Sequence, residues 1–81
     1  MAWAVVRELL PTEEDELYLL LDHSNPDLAR RARAILLVGR QGLSIRETAQ
    51  LVGASPATVR RWVRAFNAGG IGGLLPGRPS R

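Results

Sequence analysis

The sequence has no cysteine and no lysine, and only one histidine and four aromatic residues among its 81 positions. Each scarcity removes a class of function. Without cysteine there is neither a disulfide framework nor a thiolate zinc site. His23 has no second imidazole with which to pair, so no metal and no cofactor is expected. Long apolar runs are also missing. The longest, Met1–Val6 and Ala34–Val38, fall far short of the roughly 20 residues a membrane-spanning helix needs. The N-terminus lacks a basic start, and residues 11–16 are acidic where a signal-peptide cleavage site would be small and neutral. No membrane partner is expected, and a cytoplasmic location is. The length suits one domain and is too short for most enzyme folds with a substrate pocket. No nucleophile–base pair, phosphate loop or metal spacing appears, so no catalytic residue and no small-molecule substrate are expected.

What the chain does have is charge sorted by position. Residues 1–27 hold seven acids and one base, a net charge of −6. Residues 28–81 hold ten arginines and one acid, a net charge of +9. The basic stretch is long enough to be a nucleic-acid footprint. Every basic residue is arginine, whose planar fork matches phosphate and guanine. A G+C-rich codon bias would give the same choice of arginine, but it would not cluster the charge.

Residues 1–10 are apolar with weak alternation and fit either a short strand or a frayed helical turn. A lone strand would need a partner, such as a second copy. Pro11 ends that segment. Thr12 reads as an N-cap, with Asp15 three residues on, and a first helix is predicted from about Glu13 to Asp22. Ser24 or Asn25 caps a second helix with Pro26 at its first position. This helix runs to about Arg40 or Gln41, with Gly42 as its C-terminal cap. Leu28, Ala32, Ile35, Leu36 and Gly39 form its core face. Arg30, Arg31 and Arg33 crowd its first turns, where the helix dipole disfavours cations. Nearby acids or a bound phosphate must compensate them.

Ser44 and Glu47 form a capping box and open a short helix that ends at Gly53. Ser55 caps the next helix, Pro56 takes its first position, and the helix runs to about Asn67 before Gly69 and Gly70 stop it. Two helices joined by a tight glycine turn read as a helix-turn-helix over Ile45–Arg64. Ala49 is small where the helices cross, and Gly53 sits where the turn needs a left-handed backbone. Leu51, Val52, Ala54, Val59, Trp62, Val63 and Phe66 bury one shared face. Trp62 reads as core. Arg60, Arg61, Arg64 and Asn67 lie opposite.

A recognition helix places its N-terminal end in the major groove. Ser55, Ala57 and Thr58 are therefore expected near DNA, with Arg61 reading a base and Arg60, Arg64 and Arg46 holding phosphates. The bland alternative for these residues is a solvated basic face. In the C-terminal tail, Ile71, Leu74 and Leu75 are positioned to fold back as a turn. Arg78, in Gly77-Arg78-Pro79, reads as a minor-groove arm or as a linker stub.

These pieces come in a characteristic order: Leu28 to Leu37, Gly42 to Ala49, Val52 to Ser55, Thr58 to Trp62, then Phe66 to Leu75 followed by Gly77-Arg78-Pro79. From about residue 11 to 81, with a similar Pro11-Thr-Glu-Glu start, the chain resembles the N-terminal domain of mariner-like bacterial insertion-sequence transposases. Thr48 departs from the aliphatic residue common at its position. The resemblance implies a homeodomain-like fold that binds transposon terminal repeats, with Gly77-Arg78-Pro79 similar to a minor-groove linker. The sequence stops there, without the Asp-Asp-Glu nuclease that follows in such proteins, so the implied activity is recognition alone.

The expected fold is all-α. It is a three- to four-helix homeodomain-like bundle over residues 11–68, with an N-terminal extended segment at 1–10 and a Gly/Pro/Arg tail or linker at 69–81. The expected function is sequence-specific binding of double-stranded DNA, as a transposase-type module or a small transcriptional regulator associated with the nucleoid. The alternative is a protein-interaction module, a homodimer joined through its acidic first third and built on a helix-turn-helix scaffold.

Overall fold

The computed structural model describes residues 5–75. Five helices follow one another: α1 Pro11–Leu20, α2 Pro26–Gly39, α3 Ile45–Val52, α4 Pro56–Gly69 and α5 Ile71–Leu74. No strand occurs among the described residues. The fold is all-helical, as expected, with α5 adding one short turn. Helix α2 lies at the centre and packs against the other four.

The helix starts follow local chemistry. The Asn25 side chain accepts from the N–H groups of Asp27 and Leu28, and Pro26 opens α2. Ser44 accepts from the Glu47 N–H at 3.0 Å, while the Glu47 carboxylate accepts from the Ser44 N–H at 3.0 Å. Each such bond satisfies a donor that the helix itself cannot pair. At the end of α2, Gly42 takes φ +76°, and the chain turns so that the Leu43 N–H reaches the Leu37 carbonyl.

Helix α1 departs from the sequence expectation. It begins at Pro11, two residues before Glu13, and its N-cap is Leu10 rather than Thr12. Proline suits the first helical position because its fixed φ is helical and no N–H is lost. Leu10 has no side-chain acceptor, so the cap is one-sided: its N–H donates to the Glu13 carboxylate at 3.1 Å. The helix ends at Leu20, where the N–H groups of Leu21, Asp22 and His23 donate to carbonyls three residues back.

The core joins Leu17 of α1, Leu28, Ala32, Ile35 and Leu36 of α2, Ala49 and Val52 of α3, Val59, Val63 and Phe66 of α4, and Leu74 of α5. Two positions read as core are exposed. Leu51 is 52% exposed, because α3 shows only one side to its neighbours and Leu51 falls off it. Gly39 is a crossing point rather than a core residue: a Cβ there would stand 2.9 Å from a methyl carbon of Val6. The small residue lets the N-terminal segment pass over α2.

The described part of that segment, residues 5–10, packs against its own chain, and residues 1–4 lie outside the described residues. Asn67 of α4 binds it with both ends of its carboxamide, donating to the Val5 carbonyl at 2.7 Å and accepting from the Arg7 N–H at 2.9 Å. The Arg7 guanidinium meets the Glu13 carboxylate through two bonds of 2.7 and 2.8 Å and lies 4.7 Å from the centre of the Phe66 ring. The Arg7 bonds, followed by the Leu10 N–H, hold the Glu13 carboxyl at a pKa of about 2, and the same pairing raises that of Arg7.

Helix α5 is held as firmly. Leu74 is buried, and its carbonyl accepts from Arg31 at 3.0 Å. Arg31 also lies over the half-buried ring of Trp62, 5.9 Å from its centre.

Candidate nucleic-acid interface

Helices α3 and α4 form the expected helix-turn-helix. The turn between them is Gly53-Ala54-Ser55. Gly53 has φ +74°, in the left-handed region that side chains disfavour, and its N–H and that of Ala54 both donate to the Ala49 carbonyl. Ala49 itself is buried between the helices. A larger residue there would push α3 away from its neighbours.

Ser55 terminates the turn and starts α4. Its hydroxyl oxygen accepts from the Thr58 N–H at 3.1 Å, and its proton goes to Thr58 Oγ1 at 3.0 Å. The Thr58 hydroxyl thus accepts from Ser55 and keeps its own proton to donate. Pro56 has no N–H, and the N–H of Ala57 has no acceptor within the helix. The N-terminal end of α4 therefore combines one unpaired N–H with the positive end of the helix dipole, an arrangement that suits anions.

Along α4, Val59, Val63 and Phe66 are buried, with Trp62 beside them half-buried. At 100° per residue the opposite stripe is Ala57, Arg60, Arg61 and Arg64, and all four are exposed. None of the three arginines has an ion-pair or hydrogen-bond partner among the described residues. Arg46, in the first turn of α3, is likewise exposed and unpartnered. Ser55, Ala57, Thr58, Arg60, Arg61 and Arg64 thus share the first two and a half turns of one helix and its cap. Arg78 lies outside the described residues.

One expected member of this face is committed elsewhere. Asn67 follows Arg60 by two turns on the same stripe, but the N-terminal segment crosses the helix there and uses its carboxamide. The accessible part of the basic face therefore ends near Arg64. The arginines crowding the start of α2 separate in role. Arg30 pairs with Asp27 at 3.1 Å and reaches the Gly53 carbonyl at 3.4 Å, Arg31 serves α5, and Arg33 is exposed and unpaired. Local spacing predicts the Arg30–Asp27 pair, three residues apart on one helix. No local signal foretells the bond from Arg31 to Leu74, 43 positions away.

No group of three or more potential metal ligands occurs among the described residues. No helix among them is long and apolar enough to cross a membrane.

Neither the curated proteins nor the solved structures compared with this chain gave a match. Residues 25–75, which run from the N-cap of α2 through α5, match the homeodomain-like domain, a helix-turn-helix family that points to DNA binding. Because the match covers more than half of the sequence and takes in α2, α3, α4 and α5, the chain belongs to the homeodomain-like domain family.

Proposed function

We propose that this protein binds double-stranded DNA sequence-specifically, with α4 as its reading helix and no catalytic step. The observation that carries the reading is the exposed row Arg60, Arg61 and Arg64, without acidic partners among the described residues, at the capped end of a helix-turn-helix. Three guanidinium groups held on one face repel one another, and a polyanion relieves that cost.

Each residue has a distinct role in this reading. Arg61 reads a base, since its fork fits O6 and N7 of guanine. Arg60, Arg64 and Arg46 hold phosphates and set the register without specifying sequence. Thr58 offers its hydroxyl proton, and the small Ala57 lets the helix approach the groove closely. Ser55 acts by holding the start of α4 in place. Arg78 extends the contact into the minor groove. At a finer grain, the order of the sequence motifs favours the recognition module of a mariner-like transposase over a transcriptional regulator. Either role takes place on the nucleoid, in the cytoplasm.

Site selection from a random duplex pool tests the proposal. A defined motif is expected to emerge. Arg61→Ala is expected to relax one position of it by roughly 5- to 150-fold, the range for one bidentate base contact. Arg60→Ala and Arg64→Ala are expected to weaken all duplexes alike. A pool that yields no motif, or an Arg61→Ala variant with unchanged preference, would overturn it.

A second reading has one observation in its favour. Leu19, at the outer face of α1, is 75% exposed next to the half-exposed Tyr18. A homodimer through α1 would cover both. Sedimentation of the wild type and of Leu19→Asp decides this: a dimer lost on substitution supports it, and a wild-type monomer at high micromolar concentration rejects it.

A further inference from the structure

One cationic cluster plays no part in the reading helix. An open cleft of about 480 Å³ lies between the α1–α2 turn and the end of α3. His23, Arg30 and Arg33 line it, with Leu21, Ala29 and Val52 among its apolar walls. No carboxylate contributes to the lining. Asp22, next to His23 in sequence, is not part of the wall, and Asp27 is paired with Arg30.

The polar groups of the cleft are donors. His23 Nδ1 accepts from the Asn25 N–H at 3.0 Å, so in the neutral ring the proton sits on Nε2, which becomes a donor. Arg33 is exposed and has no partner among the described residues. Arg30 stands one turn before it on the same face of α2, close enough for the two charges to repel. Its bonds to Asp27 and to the Gly53 carbonyl use two of its nitrogens and leave it 40% exposed. A cleft lined by these donors and by apolar walls fits an oxyanion attached to a carbon body, as in a phosphate ester.

The location ties this cleft to the reading helix. Val52 is the last residue of α3, and Arg30 is bonded to Gly53, the first residue of the turn that leads into α4. The cleft therefore borders the same turn that presents the N-terminal end of α4. A duplex entered by that end has a backbone strand passing the turn.

We propose that the His23–Arg30–Arg33 cleft is a phosphate site, and that its ligand is a backbone phosphate flanking the base pairs read by α4. Arg33 supplies the free charge and His23 Nε2 an N–H donor, and Arg30 fixes the cleft to the turn. The identification of the ligand as DNA rests on the reading given under Proposed function; the chemistry of the cleft does not.

The test compares the full chain with Arg33→Ala and His23→Asn, the latter retaining an acceptor for the Asn25 N–H. Anisotropy of a labelled duplex is followed across a salt series, and the His23 ring resonances are followed during titration with inorganic phosphate. Arg33→Ala is expected to lower the slope of log K against log salt by about one and to weaken all duplexes alike. His23→Asn is expected to weaken binding several-fold. These results would establish the DNA-backbone site. Saturable phosphate shifts at His23 that vanish in Arg33→Ala, with duplex binding absent or its slope unchanged, would establish the cleft as a site for free phosphate esters. The proposal would then hold without its DNA ligand, and in the absence of duplex binding the reading of α4 would fail independently. An unchanged duplex slope together with no phosphate shift would overturn the proposal, even where wild-type DNA binding is strong. Circular dichroism of both variants confirms that they fold.

Discussion

Replacing Gly73 with alanine isolates the part of the structure least visible in the sequence. Gly73 lies in α5, where the backbone runs against the Ala65 peptide of α4. A Cβ at this position would stand 2.8 Å from the Ala65 carbonyl carbon and closer still to its oxygen. Both are backbone atoms of a packed helix and have little freedom to move. Gly73→Ala must therefore lift α5 from α4. That exposes Leu74, now 1% accessible, and breaks the hydrogen bond from Arg31 to its carbonyl. Exposing a buried leucine costs about 1.5–3 kcal/mol, and losing a hydrogen bond from a charged donor adds about 1.5–3 kcal/mol. The expected destabilisation is about 3 kcal/mol, since α5 keeps some contact. For a domain of this size each kcal/mol shifts Tm by roughly 4–8 °C, so the melting temperature should fall by more than 10 °C. Gly69→Ala is the control: a Cβ there meets nothing within 4 Å, and the position is helical. It should be neutral or stabilising by up to about 1 kcal/mol. Thermal melts followed by circular dichroism decide the matter. A Gly73→Ala variant within 2–3 °C of wild type would refute the close-packing argument.

Three further substitutions probe other contacts. Thr48 is completely buried with its hydroxyl unpartnered, so Thr48→Val, which keeps the shape and removes the polar atom, should stabilise the fold by about 1 kcal/mol in urea denaturation; a loss of stability would show that the hydroxyl is satisfied. Gly53→Ala must place a side chain at φ +74°, which should cost about 1–2 kcal/mol by the same assay without altering the buried contacts. The Glu13 pKa is depressed, so its pairing with Arg7 stabilises the fold above the ordinary carboxylate range near 4.5 and is lost as the pH falls toward about 2. The stability difference between wild type and Glu13→Gln should therefore be constant above pH 5 and shrink over that window; a difference independent of pH would count against the ion pair.

The helix-turn-helix was legible because its signals are local. Ser44 with Glu47, Ser55 with Pro56, and Gly53 each act within four residues, and the buried row Val59, Val63 and Phe66 follows the helical period directly. Asn25 and Pro26 announced α2 in the same way. What escaped the sequence depends on contacts across the chain. The bonds from Asn67 to Val5 and Arg7 join positions 62 and 60 apart, and nothing in a polar residue on an exposed stripe tells that a strap will cross it. The Glu13 carboxylate was readable as a favourable charge in a first helical turn. Its two further tasks, capping Leu10 and clamping Arg7, require the position of Phe66 and the path of the N-terminal segment. Trp62 was read as core from its spacing, yet it sits at the rim, where Arg31 can stack on it. The arginines of α2 were correctly marked as needing compensation. Arg30 finds it in Asp27 and the Gly53 carbonyl and Arg31 in the Leu74 carbonyl and the Trp62 ring, while Arg33 has no partner among the described residues, because neighbouring residues on a helix point in different directions.

The central claim is that the arginine face of α4 binds duplex DNA. Its most direct test is anisotropy of a labelled duplex titrated with wild type and with the Arg60→Ala, Arg61→Ala, Arg64→Ala triple variant over 50–200 mM salt. The account predicts wild-type binding that weakens steeply with salt, and a triple variant whose log–log slope is smaller by about three and whose affinity is lower throughout. Equal affinity and slope for the two proteins, or no wild-type binding at the lowest salt, would contradict it.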